Sequence, residues 1–304
     1  MSASPQAGIF AEGSSAHYFL EYDLVDAAPD ALRGALREAL AEKESGIHTV
    51  LALGPRGATA LGLESPAVPF HPLQGQAGKV APATQRDLLF WVHGKEHDRI
   101  FDRVLRIQRV VSPLAKLGLD LRGFQYLDSR DLTGFVDGSA NPTGDDRLAA
   151  GVIPDGQPGA GGCIVLTQKW IHDLAAFEAL EVSEQERIIG RTKLESIELE
   201  GDAMPLDSHV SRTDVKVDGT AIEIYRRSAP YGAAGEHGLY FIAFACEQRR
   251  FEILLGRMFG LWEDGVRDRL MDYTRPVTGS YWFAPSQLDL DSVVATRASP
   301  GGRR

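Results

Sequence analysis

A pattern of strands and helices that occurs twice is the feature that most constrains the fold of this chain. In the first half, apolar periodicity and helix-start signals predict the order βαββαβ, over residues 17–24, from Pro29, 47–53, 87–93, 95–111 and 121–127. In the second half the pattern returns with strands at 162–170, 221–226, 238–245 and 280–283 and helices from 171 and 183 and over 248–259 and 263–273. We therefore predict an α+β fold of two ferredoxin-like halves with antiparallel sheets.

The predicted elements divide the chain into four parts. Residues 1–128 form the first ferredoxin-like half, and residues 129–159 form a connecting loop. Residues 160–285 form the second half, and the polar residues 286–304 form a loose tail. A stretch rich in glycine and proline, roughly 54–84, is expected to be mostly loop.

Composition excludes several function classes. The net charge of −10 in 304 residues argues against a nucleic-acid partner, which would require a positively charged face. The two cysteines, Cys163 and Cys246, lie in apolar runs and predict buried free thiols rather than a disulfide framework. Neither a membrane-spanning segment nor a basic leader is visible, and a cytoplasmic protein without a membrane partner is expected.

The segment Gly134–Pro142, Gly-Phe-Val-Asp-Gly-Ser-Ala-Asn-Pro, places one acid between glycines. Glycine permits a positive φ and a close approach, so a turn of this kind can direct Asp137 into a pocket. Further along, Arg226 ends a predicted apolar strand, and a guanidinium beside Asp137 would lower the pKa of that carboxyl. A surface turn and a strand-end arginine paired elsewhere are the alternatives.

None of the eight histidines has the spacing of a multi-histidine metal site. A single histidine is nevertheless enough for a metal that four porphyrin nitrogens already hold. His209, in Asp207-Ser208-His209, is the candidate for such a ligand. A carboxylate and an arginine facing that metal would form an acid–base and charge-stabilising pair.

These motifs resemble the dye-decolorizing peroxidases, a family of haem enzymes. Gly134–Pro142 is similar to the GxxDG…NP signature, and further blocks follow in the family order. The blocks are Ile189–Leu194, Asp207–His209, Ile224–Arg226, Gly238–Ile242, Met271–Tyr273 and Thr278–Ser280. The resemblance covers about 130–285, and the chain looks most like the bacterial cytoplasmic subgroup called type B or class P.

The resemblance implies roles for individual residues. His209 is the proximal ligand of the iron of haem b, bound once per chain in the C-terminal half. Asp137 is the distal acid–base group and Arg226 the distal arginine. Arg191 contacts a propionate or the haem edge, Asn141 shapes the same rim, and Phe241 lines the cofactor site.

A carboxylate is expected to orient the ring of His209, and Asp268 and Asp272, four residues apart on one predicted helix face, are both candidates. Two positions depart from the family pattern. Ser228 stands where many relatives carry asparagine, which affects the expected rate of peroxide cleavage. Ala140 stands where relatives with a manganese site often carry an acid, so manganese oxidation is not expected.

The resemblance implies a peroxidase that reduces hydrogen peroxide through a ferryl intermediate and oxidises dyes or other bulky reductants in one-electron steps. Electrons are expected to enter through aromatic residues, with Tyr231, Tyr273, Trp262 and Trp282 as candidates. A haem carrier or iron-release protein on the same fold, and a haem-free α+β domain, are the alternatives. A homo-oligomer is expected, and a shell-packaging peptide is not, because Val294–Ala298 has little apolar content.

Overall fold

The computed structural model describes residues 3–25, 28–41 and 44–295. Its N-terminal half follows the predicted order, with two long helices packed on one face of a sheet. The elements are β1 (Ala16–Leu24), α1 (Pro29–Leu40), β2 (Ile47–Leu53), α2 (Pro55–Leu61), β3 (Leu73–Gln74), β4 (Val80–Ala81), β5 (Leu88–Gly94), α3 (His97–Val111) and β6 (Ala115–Phe124). Proline at the first position of α1 and α2 fits a helix start, where the missing N–H costs nothing.

The C-terminal half begins after the connecting loop, which carries one short helix. Its elements are α4 (Asp146–Gly151), β7 (Cys163–His172), α5 (Leu174–Glu178), α6 (Val182–Ile189), α7 (His209–Thr213), β8 (Lys216–Val217), β9 (Thr220–Ala221), β10 (Tyr225–Arg226), β11 (Ala229–Ala233), β12 (Glu236–Ala245), α8 (Gln248–Met258), β13 (Thr274–Pro276), β14 (Ser280–Ala284) and α9 (Gln287–Val294).

Strand pairing joins the two halves into a closed ring. The order is β12-β11-β6-β1-β5-β2-β14-β7, and β7 pairs in turn with β12. Each half contributes a four-stranded antiparallel sheet. At the two seams, the ladders consist of the pairs Tyr231 with Gly123 and Phe283 with Leu53. The short strands β10 and β13 pair with the remaining lengths of β12 and β7. The two sheets therefore enclose an interior between them.

Apolar residues cover both faces of these sheets. Phe19, Trp91, Tyr240 and Trp282 belong to the cluster inside the ring. A second cluster lies between the N-terminal sheet and helices α1 and α3, and a third between the C-terminal sheet and α8. Strands β5 and β7 are buried on both sides over most of their length, and β5 is accordingly almost continuously apolar, whereas β6 alternates between buried and exposed residues. The α+β fold with two ferredoxin-like halves is thus confirmed.

The structure corrects four details of the sequence prediction. The segment 263–273 is not a helix but a loop ending in a single 3₁₀ turn at Arg269–Asp272. In place of the strand expected at 221–226 there are two short strands, β9 and β10, with residues 222–224 between them. The strand expected at 121–127 is the last part of the longer β6, which ends at Phe124. The stretch 54–84 carries α2 and two short strands.

The predicted loose tail from residue 286 is wrong over α9, because Leu290 and Val293 are buried against the N-terminal core. Residues 296–304 lie outside the described residues and include most of Val294–Ala298, the segment in which no packaging peptide is expected. Both cysteines are free; Cys163 is buried and Cys246 partly buried. Within the described ranges, every helix is too short or too polar to cross a membrane.

Candidate active site

Two glycines make possible the turn that carries Asp137. Gly134 and Gly138 have φ angles of 87° and 80°, in the left-handed region that favours glycine. The backbone N–H of Asp137 donates to the carbonyl of Ser129 at 3.0 Å, and that of Asn141 donates to the carbonyl of Gly138 at 2.9 Å. The turn therefore fixes where the side chain of Asp137 leaves the backbone.

Asp137 and Arg226 line one cavity of about 280 Å³ together with Asn141 and Ser228. Arg226 ends β10, and its guanidinium is close enough to Asp137 to stabilise the negative carboxylate. The hydroxyl of Ser228 is buried and has no hydrogen-bond partner among the residues that the structure describes. Four predicted residues, from two separate stretches of the sequence, thus meet at one cavity.

The pKa of Asp137 is raised, because burial disfavours the carboxylate more than its surroundings stabilise it. Arg226 and, to a smaller extent, His209 lower it, while Asp131 raises it further. The prediction of a net lowered pKa is therefore wrong. The arginine acts in the expected direction, but desolvation is the larger effect.

Asn141 holds the backbone of Arg226 from both sides. Its side-chain Nδ2 donates to the carbonyl of Arg226 at 2.7 Å, and its Oδ1 accepts from the N–H of Arg226 at 2.9 Å. The next residue, Arg227, donates to the carbonyls of Ile9 and Ala11 at 3.0 and 2.6 Å. These contacts fix the backbone on both sides of the point where the Arg226 side chain begins.

His209 is the first residue of α7, and Ser208 caps that helix by accepting the N–H of Ser211 at 3.2 Å. Nδ1 of His209 lies 2.7 Å from Oδ2 of Asp268, and Asp268 is fully buried. A carboxylate at this distance places the proton on Nδ1 and leaves the lone pair on Nε2. The imidazole is 28% exposed, so it is oriented without being enclosed.

The structure distinguishes the two carboxylates that the sequence could not separate. Asp268 bonds His209, and its other oxygen accepts the N–H of Leu270 at 2.9 Å. Asp272 instead lies 3.1 Å from Nζ of Lys79 and 3.0 Å from Arg267. The prediction that both acids share a helix face is wrong, because Asp268 lies in the loop before the 3₁₀ turn.

Two other predicted residues lie away from the Asp137 cavity. The guanidinium of Arg191 contacts Oε2 of Glu198 at 2.5 Å and the carbonyl of Ser196 at 3.1 Å, so both of these bonds lie within its own loop. Phe241, on β12, is partly buried at the edge of the cluster under α8. Arg191 nevertheless follows Gly190, which packs against the helix of His209.

Sequence reasoning missed three residues near the carboxylate. His17 and Arg227 also line the cavity, and Asp131 lies close enough to influence the charge of Asp137. Asp131 is held by His172 at 3.1 Å and by the hydroxyl of Thr133 at 2.6 Å. The position of Asp131 in the same glycine-rich loop was a usable signal, whereas nothing local to His17 indicates that the N-terminal half reaches the site.

The comparisons with known proteins all indicate the same family. Residues 128–289 match the model of the family described as Dyp-type peroxidase, C-terminal. The chain is 39% identical over 232 residues to a dye-decolorizing peroxidase of Mycolicibacterium paratuberculosis and 40% identical over 227 residues to that of Mycobacterium tuberculosis. Each match covers 73% of this chain and about two thirds of the relative, 66% and 68% respectively.

A solved structure extends the similarity to almost the whole chain. A DypB variant of Rhodococcus jostii RHA1, in complex with heme, superposes with a TM-score of 0.88 at 34% identity. The match covers 96% of this chain and 99% of that one. The similarity therefore includes the N-terminal half, which the family model does not reach.

Proposed function

Because this chain belongs to the dye-decolorizing peroxidase family, we propose that it is a haem peroxidase that reduces hydrogen peroxide and oxidises dyes or other bulky reductants. One observation carries the proposal. An imidazole oriented by a buried carboxylate lies within electrostatic reach of Asp137, and Asp137 shares a cavity with Arg226. That arrangement supplies an iron ligand, a proton acceptor and a cation in one place.

The residues present fit haem b, one per chain. Since Nδ1–H of His209 donates its hydrogen bond to Asp268, the lone pair of Nε2 is available to hold the iron. Apolar side chains at the edge of the cluster under α8, among them Ile224, Phe241 and Met258, are only partly buried and offer a surface for a porphyrin. The related DypB is a heme complex, which supports the same cofactor here.

A haem held by His209 would supply an iron able to bind peroxide and a redox centre able to give the two electrons that breaking the O–O bond requires. Asp137 in its ionised form takes a proton from one peroxide oxygen and returns it to the other, so that water can leave. The guanidinium of Arg226 stabilises the negative charge that develops on the separating oxygens. Asn141 keeps that guanidinium in place through the backbone of Arg226.

The size of the cavity limits how the reductant reacts. A volume of about 280 Å³ admits peroxide but is below the size of ordinary drug-sized ligand pockets. We propose that bulky dyes give up their electrons through the protein rather than inside this cavity. We further propose a homo-oligomer and a cytoplasmic location, the latter supported by two free cysteines in a chain of this size.

Two substitutions test the proposal. Asp137→Ala should slow the reaction with stoichiometric peroxide in stopped-flow absorption while the resting haem spectrum stays the same. His209→Ala should lose haem or change the axial-ligand spectrum. Exposed residues of the same types, in Asp145→Ala and His71→Ala, serve as matched controls.

The outcomes separate the enzyme from a carrier. Rapid reaction of the wild type with one equivalent of peroxide, slowed in Asp137→Ala but not in Asp145→Ala, supports the peroxidase. Stoichiometric haem binding without any reaction with peroxide would instead indicate a haem carrier. An unchanged histidine-ligand spectrum in His209→Ala would remove that residue as the ligand.

A further inference from the structure

A buried phenol and a buried carboxylate lie inside the ring of strands, where the proposed function uses neither. The hydroxyl of Tyr240 donates to Oε1 of Glu21 at 2.7 Å, and both residues are fully buried. The other oxygen of Glu21 has no hydrogen-bond partner among the described residues, and Nε of Arg86 lies 3.6 Å from it. A buried carboxylate with an unused acceptor position requires an explanation.

The strand that carries Tyr240 also borders the candidate active site. Adjacent residues on a strand point to opposite faces, so Tyr240 faces the interior while Phe241 faces the cluster under α8. Arg226 pairs with Ala243, three positions along the same strand from Tyr240. That separation is about 10 Å along the strand.

We infer that Tyr240 is a redox-active residue that gives one electron to the oxidised cofactor while its phenolic proton moves to Glu21. The O–H bond of Tyr240 breaks, the proton forms a bond to a carboxylate oxygen, and the electron reduces the oxidant by one equivalent. A neutral tyrosyl radical and a neutral carboxylic acid remain. The inference rests on the proposed peroxidase function, which supplies the oxidant.

The chemistry of Glu21 suits a proton acceptor. The pKa of Glu21 is raised to about 7, chiefly by burial and slightly by Asp23. Tyr240, Arg86 and Thr167 act in the opposite direction and offset part of this rise. A carboxylate with this pKa holds a proton far more readily than an ordinary glutamate. Because the transfer removes a negative charge from an apolar interior, burial favours the product.

The surroundings keep the oxidising equivalent on Tyr240. Its ring stacks on Phe19, with centroids 4.0 Å apart, and the ring of Trp91 lies 6.4 Å beyond Phe19. The guanidinium of Arg227 lies 5.3 Å from the Trp91 ring and opposes positive charge there. The indole N–H of Trp91 donates to His17, whose pKa burial and Arg227 lower to about 4, so His17 is a poor proton acceptor.

Two other oxidisable rings, Tyr22 and Trp282, are fully buried but lack a base. Tyr22 donates its hydroxyl to the amide oxygen of Gln108 at 2.8 Å, and an amide does not take up a proton at neutral pH. The indole of Trp282 donates to the hydroxyl of Thr167 at 2.8 Å, which is equally unsuitable. Tyr22 is therefore a matched control for Tyr240, since both phenols are fully buried and hydrogen-bonded.

Two further phenols face a base close to solvent. Tyr225 lies 3.3 Å from the exposed Glu12, and Tyr18 lies 3.0 Å from the partly buried His97. Tyr225 is next to Arg226 in the chain, so its radical is a distinct outcome of the same experiment. The 2.7 Å bond to a fully buried carboxylate favours Tyr240 over both.

The test is electron paramagnetic resonance of haem-loaded protein, frozen after mixing with peroxide in the absence of a reductant. Ring-deuterated tyrosine identifies a tyrosyl signal by its changed hyperfine pattern. The signal should be present in the wild type and in Tyr22→Phe and lost in Tyr240→Phe and Glu21→Gln. A full signal in Tyr240→Phe, or a signal lost only in Tyr225→Phe or Tyr18→Phe, would overturn the inference.

A second measurement separates this inference from the peroxidase itself. Protein loaded with zinc protoporphyrin and photo-oxidised in the presence of an electron acceptor produces an oxidant without peroxide. A tyrosyl signal that depends on Tyr240 in this preparation, in a protein whose haem form does not react with peroxide, supports the inference and refutes the proposed function. Peroxide reactivity without a Tyr240 signal in either preparation refutes the inference alone, and failure to bind either porphyrin refutes both.

Discussion

Replacing Glu21 by glutamine should change how the stability of the protein depends on pH. Glu21 is fully buried and accepts a hydrogen bond from Tyr240 at 2.7 Å. Glutamine keeps the shape and an acceptor oxygen for that bond but cannot ionise. The substitution therefore removes the titration of one buried group and leaves most of its packing in place.

The magnitude follows from the pKa of Glu21, which burial raises from 4.5 to about 7. Between these values the folded chain holds a proton that the unfolded chain has released, so the free energy of unfolding falls as pH rises. The full penalty is about 3 kcal/mol, and most of it develops between about pH 5 and about pH 8. The wild type should lose this amount over that interval relative to Glu21→Gln.

Urea denaturation followed by circular dichroism at the two pH values measures the difference, with both proteins in the same state of cofactor loading. For a urea slope of about 3 kcal/mol/M, the midpoint of the wild type should fall by about 0.8 M more than that of the variant. The exposed Glu64, in Glu64→Gln, is the matched control and should behave like the wild type. Equal midpoint changes in the wild type and Glu21→Gln would show that Glu21 titrates at an ordinary pKa, and the reasoning from burial would fail.

Three further predictions concern the candidate active site. Because burial raises the pKa of Asp137 above its usual value, the rate constant for peroxide should fall as pH drops through that pKa, and Asp137→Asn should give a low rate without this dependence in stopped-flow measurements. Asn141→Ala removes two hydrogen bonds to the backbone of Arg226 and should lower the peroxide rate constant about ten-fold without loss of haem. An unchanged rate constant would mean that other contacts hold Arg226 in place. Asp264→Asn weakens the contacts of the buried Arg212 at 2.9 Å, and because Asp264 is 40% exposed it should destabilise the protein by only about 1 kcal/mol while weakening haem binding. Thermal unfolding and haem titration measure the two effects, and retention of both would show that the helix of His209 does not depend on this pair.

Periodicity was enough to predict most elements of the fold, because strands such as β5 are buried on both faces and the long helices α1 and α3 bury one face. The β2 strand at Ile47–Leu53 has the predicted bounds, and β5 differs by one residue at each end. Periodicity could not show that the two sheets close into one ring. Closure depends on seams such as Tyr231 with Gly123, where residues more than a hundred positions apart meet and no local signal exists.

Motifs located the candidate site better than they described its electrostatics. The turn of Asp137 and the strand end at Arg226 were visible because glycines and apolar runs are local signals. The choice between Asp268 and Asp272 was not, since it depends on a loop that resembles a helix in sequence. The sign of the Asp137 pKa shift was equally inaccessible, because it is set by the whole shell of atoms that excludes water.

Burial links the two carboxylates that matter most in this protein. Asp137 and Glu21 each have an arginine nearby, and in both cases desolvation outweighs that cation and raises the pKa. They lie in different surroundings, Asp137 at a cavity beside Arg226 and Glu21 inside the ring of strands beneath Tyr240. A carboxylate in such a position accepts a proton readily because its ionised form is already destabilised. In the roles that we propose, the same physical effect equips Asp137 to move a proton of peroxide and Glu21 to receive the proton of a tyrosine.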